Sequence, residues 1–179
     1  MKSMNGIEVY LHPESHPHRT DLLGEVISKI TLPEDATFYR TTVDLGRIIG
    51  VDHLVEADED HNKVVRVVRG NRAGWTPMVL DVEPVETSKV TIVLCVATEP
   101  KGYAGKWVVV TLFEGEPGLP EPWDKKCQND KALHEKSLKF WRTHALVPAN
   151  EDEWKAVIDE LYHFKELYEE LWEQYAYNS

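Results

Sequence analysis

Between Lys63 and Phe113 the chain strings together β-prone runs whose spacings leave no room for crossover helices. Lys63–Arg69 (KVVRVVR) is valine-rich and bounded by polar turns, as a strand should be. Trp75–Val82 holds Pro77 and then the β-prone Met78–Val82, and Val90–Ala97 is almost continuously apolar. Lys106–Phe113 (KWVVVTLF) carries the strongest strand signal, with turns expected at Gly70–Gly74 and Gly102–Gly105. The pattern predicts an α+β protein: an antiparallel meander forming a sheet core of about four to six strands, flanked by helices.

The flanks are read from caps and periodicity. Residues 1–20, with Pro13 and Pro17, predict an extended or irregular N-terminal entry. Asp21–Ile30 suits a short helix, or a strand from Val26 onward, and Gly24 weakens the helix. Phe38–Val43 alternates as a strand does, Leu45–Val51 stays ambiguous, and Glu56–Asp60 is a polar turn. Glu114–Trp123 is too rich in proline and glycine for regular structure. Asp130–Arg142 predicts a helix, followed by a short apolar segment, His144–Val147, which Pro148 stops. A long amphipathic helix is expected over 150–176. Asn150 would cap it, acids fill its first turn, and Trp154, Val157, Leu161, Phe164, Tyr168 and Leu171 make one apolar face that should pack on the sheet.

With 179 residues, 42% of them hydrophobic and 28% charged, the chain suits one folded domain, 1–179. No run approaches the roughly 18 apolar residues of a membrane span, and the first twenty residues lack a signal-peptide core, so a cytoplasmic location is expected. Cys95 and Cys127 have no paired spacing, which argues against a disulfide framework or a cysteine zinc site. Cys95 reads as a buried small hydrophobe, and Cys127 lies in a polar stretch read as loop. The formal net charge of -11 disfavours generic nucleic-acid binding unless positive charge is concentrated locally. It is. Lys63–Arg72 holds four cations and no acid, Lys125–Arg142 holds six against two acids, and Glu151–Glu173 holds nine acids against two lysines.

No Walker A, GxGxxG, GxSxG, HExxH or EF-hand motif occurs, so no cofactor is expected. His12, His16 and His18 are close enough to suggest a metal, but no cysteine or placed carboxylate completes a shell, and a solvated tail is the default reading. His53 and His61 flank the acidic turn and could form a second metal site, but read by default as part of its solvated surface. Strand alternation sets Arg66 opposite Val65 and Val67, with Lys63 and Arg69 on the other face, so a face of this strand can present a cation to a phosphate or carboxylate. Salt bridging on a half-exposed strand is the ordinary alternative. Thr111 stands near a strand end before a long loop, where sites collect. His144, beside Trp141, Arg142 and Thr143, suits either a general acid/base or a hydrogen-bonded structural histidine.

Three segments in order carry a resemblance. Trp75-Thr76-Pro77 with Val79–Pro84 resembles the W…T…P stretch of the barnase/EndoU/colicin/RelE-like (BECR) ribonuclease superfamily. Val109-Val110-Thr111-Leu112-Phe113 is similar to its VVTAYP-type strand, and His144 lies where some members place a catalytic histidine. The match covers less than half of the chain; Glu114 stands where a proline often follows the aromatic residue, and no N-terminal His–Lys pair matches. The resemblance implies metal-independent RNA cleavage by the ribose 2′-hydroxyl. His61 or His144 would act as base, Arg66 or Arg69 would stabilise the charged phosphorane-like state, and Thr111 would orient the phosphate.

Two other readings compete. One is a non-enzymatic binding or regulatory protein, such as a phage accessory or immunity-type protein, that meets a basic partner with its acidic helix. The other is a small-molecule site beneath the Glu114–Trp123 loop, walled by Trp107 and Trp123. RNA or another anion would bind the basic segments.

Overall fold

A computed structural model describes residues 1–15, 17–58, 60–62, 64–68, 75–99 and 102–149. In chain order these form β1 (Val9–Leu11), α1 (Leu23–Ser28), β2 (Phe38–Asp44), β3 (Gly50–Asp52), β4 (Leu54–Glu56), β5 (Val64–Val68) and β6 (Trp75–Val79). There follow β7 (Val85–Thr87), β8 (Lys89–Val96), β9 (Trp107–Glu114), α2 (Lys125–Gln128), α3 (Lys131–Trp141) and β10 (His144–Leu146). The class is α+β, with mixed and antiparallel sheets and few helices. The expected C-terminal helix lies outside the described residues. No helix among the described residues is long and apolar enough to cross a membrane.

The chain forms two compact units, one of Met1–Asp52 with Glu86–Pro117 and one of His53–Val85 with the chain from Gly118. The first is built on a four-stranded sheet ordered β1-β9-β8-β2, with β3 and β7 paired in a separate ribbon. The β8–β9 hairpin is its spine, because both strands supply buried branched side chains: Val90, Ile92 and Leu94 from β8, Val109 and Leu112 from β9. Each such burial contributes about 1.5–3 kcal/mol. Leu22, Leu23, Val26 and Ile27 recur at helical spacing and close the same core, so Asp21–Ile30 resolves as a 3-10 turn (Thr20–Leu22) leading into α1 and not as a strand.

Pairing in the hairpin steps from Val93↔Thr111 to Leu94↔Val109, leaving Val110 as an extra residue. The bulge lets Val109 and Leu112, three residues apart, both face the core, while Val110 is 40% exposed.

The second unit holds a four-stranded sheet ordered β4-β10-β6-β5. Within it β4–β10 and β5–β6 are antiparallel and β10–β6 is parallel. Val55, Val79, Ala145 and Val147 cluster on one side, and Val67 and Met78 with Leu146 on the other. Each helix beside this sheet starts at an aspartate cap: Asp124 accepts from the Lys126 N–H at 2.8 Å and Asp130 from the Leu133 N–H at 3.1 Å.

Four expectations need correction. The N-terminal entry is not wholly irregular, because β1 pairs in parallel with β9. The middle is not one antiparallel meander: the local hairpins β5–β6 and β8–β9 form as short loops require, but they belong to different sheets, and long excursions supply the parallel neighbours. Cys127 lies in no loop but on α2, 1% exposed, where helical geometry turns it inward from Lys125, Lys126 and Gln128. Cys95 is half-buried, because its position on β8 faces away from the core residue Leu94.

Candidate functional site

The polar side chains of the second unit sort by strand parity. Arg66 lies opposite Pro77 in the β5–β6 ladder, sharing a face with Val64 and Val79. His144 lies two residues before Leu146, whose partner is Met78, so it shares the other face with Val65, Val67, Thr76 and Met78. His144, one of the two candidate bases, and Arg66, one of the two candidate cations, therefore project from opposite sides of one sheet.

His144 is half-buried and held locally. Its ring stacks on Phe140 with centroids 4.1 Å apart, and Nδ1 lies 3.1 Å from the Phe140 carbonyl and 3.0 Å from Thr143 Oγ1. A carbonyl only accepts, so Nδ1 carries the proton in that bond and Nε2 is the remaining basic nitrogen. The four-residue spacing from Phe140 at the end of α3 brings the rings together.

His61 sits on the turn after β4, 80% exposed, with Nδ1 2.8 Å from Asp58 Oδ1. Hydrogen bonding to that carboxylate raises its pKa above the ordinary histidine value and lowers that of Asp58. The aspartate also accepts the N–H groups of Asp60 and His61, so this is a self-contained polar turn. Arg69 lies outside the described residues, and Thr111 is half-buried on β9 in the first unit, opposite Val93.

His53 is tied to the Val147 carbonyl through Nδ1 at 3.1 Å. Of the N-terminal histidines, His12 accepts from the Glu14 N–H and packs edge-on against Tyr103, and His16 lies outside the described residues. No metal-ligating cluster occurs among the described residues. The two tryptophans proposed as walls of a small-molecule site are buried within separate units, Trp107 in the core of the first and Trp123 in the second.

The proline-rich loop is fixed by polar bonds to the helices that follow. Ser137 donates to the Pro120 carbonyl at 2.6 Å, Trp141 Nε1 to Leu119 at 3.1 Å, and the Cys127 thiol to Pro120 at 3.6 Å. Glu121, only 6% exposed, accepts from Thr76 Oγ1 at 2.9 Å. Burial pushes the Cys127 thiol pKa up, which disfavours the nucleophilic thiolate.

That anchoring leaves the outer surface of α2 and α3 to lysines. Lys131 and Lys139 share a stripe with Glu135, Lys136 lies beside it, and Lys125 and Lys126 extend the surface onto α2; all five lysines are exposed. None of the five makes an ion pair among the described residues. In the first unit Arg19 bonds Asp21 and Glu114, Lys29 and Arg47 bond Glu25, and Lys89 bonds Glu116. The sequence already marked Lys125–Arg142 as basic, but only the helices show which of its side chains form one surface. No protein family, curated protein or solved structure matches the chain.

Proposed function

We propose that this chain is a non-enzymatic binding protein that docks an anionic ligand, an RNA phosphodiester backbone, on the lysine surface of α2 and α3. One observation carries the reading: five exposed lysines stand without ion pairs on capped helices, in a protein whose formal charge is -11. Phosphates would engage such a surface by releasing counterions. The ribonuclease reading needs a base and a cation around one phosphate, and the opposed faces of His144 and Arg66 weigh against the form of it that pairs those two residues.

Fluorescence anisotropy with a labelled single-stranded RNA oligonucleotide, in EDTA, tests both readings. Saturable binding is expected, falling about 100-fold between roughly 50 and 200 mM salt if all five lysines meet phosphates. The Lys131→Glu/Lys136→Glu/Lys139→Glu variant should lose it while keeping its circular dichroism spectrum. Absence of binding, or binding indifferent to the triple variant, overturns the proposal. Cleavage of the RNA, lost in His144→Ala, would restore the ribonuclease.

A further inference from the structure

The first unit ends at β2, an edge strand of seven residues whose only neighbour among the described residues is β8. Its backbone orientation follows from two bonds at its ends: Val96 N–H donates to Thr37 O at 2.8 Å, and Leu45 N–H to Ser88 O at 2.9 Å. Hydrogen bonding alternates in an antiparallel ladder, so odd-numbered residues bond to β8. The N–H and C=O groups of Phe38, Arg40, Thr42 and Asp44 therefore point to the open edge. Their side chains also lie away from the core, since Tyr39 and Val43 are the residues of β2 that pack into it.

Proteins usually blunt such an edge by shortness, proline, an inward charge or charged side chains along it, and β2 has only the last, with charges of opposite sign, Arg40 and Asp44. β1, at the opposite side of the same sheet, has three residues; β2 has seven and no proline. At its start Phe38 is 56% exposed. Arg40 is exposed and lacks an ion pair among the described residues, whereas Arg19 and Arg47 of the same unit each bind a carboxylate. Asp44 is also exposed, and the Gly46 N–H bonded to its carboxyl holds its pKa below the ordinary aspartate value.

The strand complements itself. In an antiparallel pairing of two copies about a twofold axis at Thr42, outward-bonding residues meet one another, and Arg40 of each copy falls opposite Asp44 of the other. Shifting the axis to Arg40 would oppose two arginines, so charge selects the register. We infer that this protein self-associates through β2, joining two four-stranded sheets into one continuous sheet, with Arg40–Asp44 pairs on either side of a Thr42–Thr42 centre. A seven-residue edge is far smaller than the roughly 20–30 residues a side of a standard interface, so the dimer is weak and concentration-dependent.

Sedimentation velocity from micromolar to near-millimolar protein tests this. The wild type should move from 20.6 kDa towards twice that mass. Arg40→Asp and Asp44→Arg each oppose like charges twice across the axis, and each should weaken association more than about tenfold. Mixed together, these two variants regain both ion pairs and should form a heterodimer. Independently, Thr42→Cys should give a disulfide-linked dimer under mild oxidation, because opposed residues in a hydrogen-bonded pair lie about 5.5 Å apart at Cα. The wild type, with only Cys95 and Cys127, should not. A wild type monomeric throughout the range, a dimer indifferent to either charge variant, a mixture that stays monomeric, or a Thr42→Cys variant that fails to cross-link overturns the inference.

Discussion

Gly115→Ala is the sharpest test of how the first unit closes on itself. Gly115 follows β9 with φ of +83°, and a Cβ there would fall within the Asp52 carboxylate. That carboxylate accepts the Glu116 N–H at 2.9 Å, while the Gly115 carbonyl accepts from the buried Thr91 hydroxyl at 2.7 Å. Reciprocally, the Glu114 carboxylate fills the space beside Gly50 and accepts the Val51 N–H at 3.4 Å. β3 and the end of β9 thus clasp each other through two carboxylates, each lying against a glycine. An alanine at 115 costs about 1–2 kcal/mol for left-handed backbone. Displacing Asp52 adds about 1.5–3 kcal/mol for a hydrogen bond to a charged group. Gly105→Ala supplies the control: its φ is +76°, but nothing lies within 4 Å of an added Cβ, so only the backbone cost applies. Urea unfolding followed by circular dichroism should therefore rank Gly115→Ala well below Gly105→Ala. In an Asp52→Ala background the steric conflict vanishes, and Gly115→Ala should cost only about 1–2 kcal/mol. Equal costs at the two glycines, or an unchanged Gly115→Ala cost without Asp52, would refute the clasp.

The exposed His61–Asp58 pair should show an imidazole titrating above the ordinary value by NMR, returning to it in Asp58→Asn. With its folded pKa raised, His61 adds stability that is present below about pH 6.5 and lost as pH rises through the folded value. Glu25 runs the other way. Arg47 grips it through two bonds of 2.8 and 2.6 Å, lowering its pKa to about 2, so its contribution is present above about pH 4.3 and lost as pH falls towards 2. Arg47→Gln should return the Glu25 carboxyl titration, read by carbon NMR, towards the ordinary range. Iodoacetamide with peptide mass spectrometry should find Cys127 protected in the folded protein and Cys95 modified faster, because Cys127 is fully buried and burial raises its thiol pKa, whereas Cys95 is half-buried. Thr76→Val should cost about 1–3 kcal/mol in urea unfolding, because it removes a donor from the buried Glu121 carboxylate.

What the sequence made legible was local. The β8–β9 hairpin follows from two apolar runs around Gly102–Gly105, and α3 falls within the helix expected over Asp130–Arg142, though Asp130 turns out to be its cap. β1 was hidden because three residues give too little alternation to read, and because its partner Trp107–Val109 lies far along the chain. The bulge at Val110 was hidden for a related reason: KWVVVTLF fits a regular strand and a bulged one equally well, and only the register against Val93 and Leu94 decides. The site residues failed at the same step. Alternation separates Arg66 from Val65 and Val67, but the side taken by His144 depends on the parallel pairing of Leu146 with Met78, which no local pattern encodes.

The charges divide by a similar distinction between local and long-range partners. In the first unit cations meet acids brought near by the fold: Arg19 reaches Glu114 in the unit's second segment, and Arg47 reaches Glu25. On α2 and α3 the lysines outnumber the acids: Asp124 and Asp130 cap backbone N–H groups, and Glu135 is the one acid within the helices, against five lysines. A capping aspartate complements the helix start and is drawn away from ion pairing with the lysines beyond it. With two of the three acids committed to the helix starts and none of the five lysines in an ion pair among the described residues, the lysines are available to an outside anion. Arg40 is left over differently, on an edge strand where its partner must come from a second chain. A flexible ammonium suits a backbone of repeating phosphates, and a planar guanidinium suits one carboxylate held in register. The residue types at the two surfaces thus agree with the ligands assigned to each.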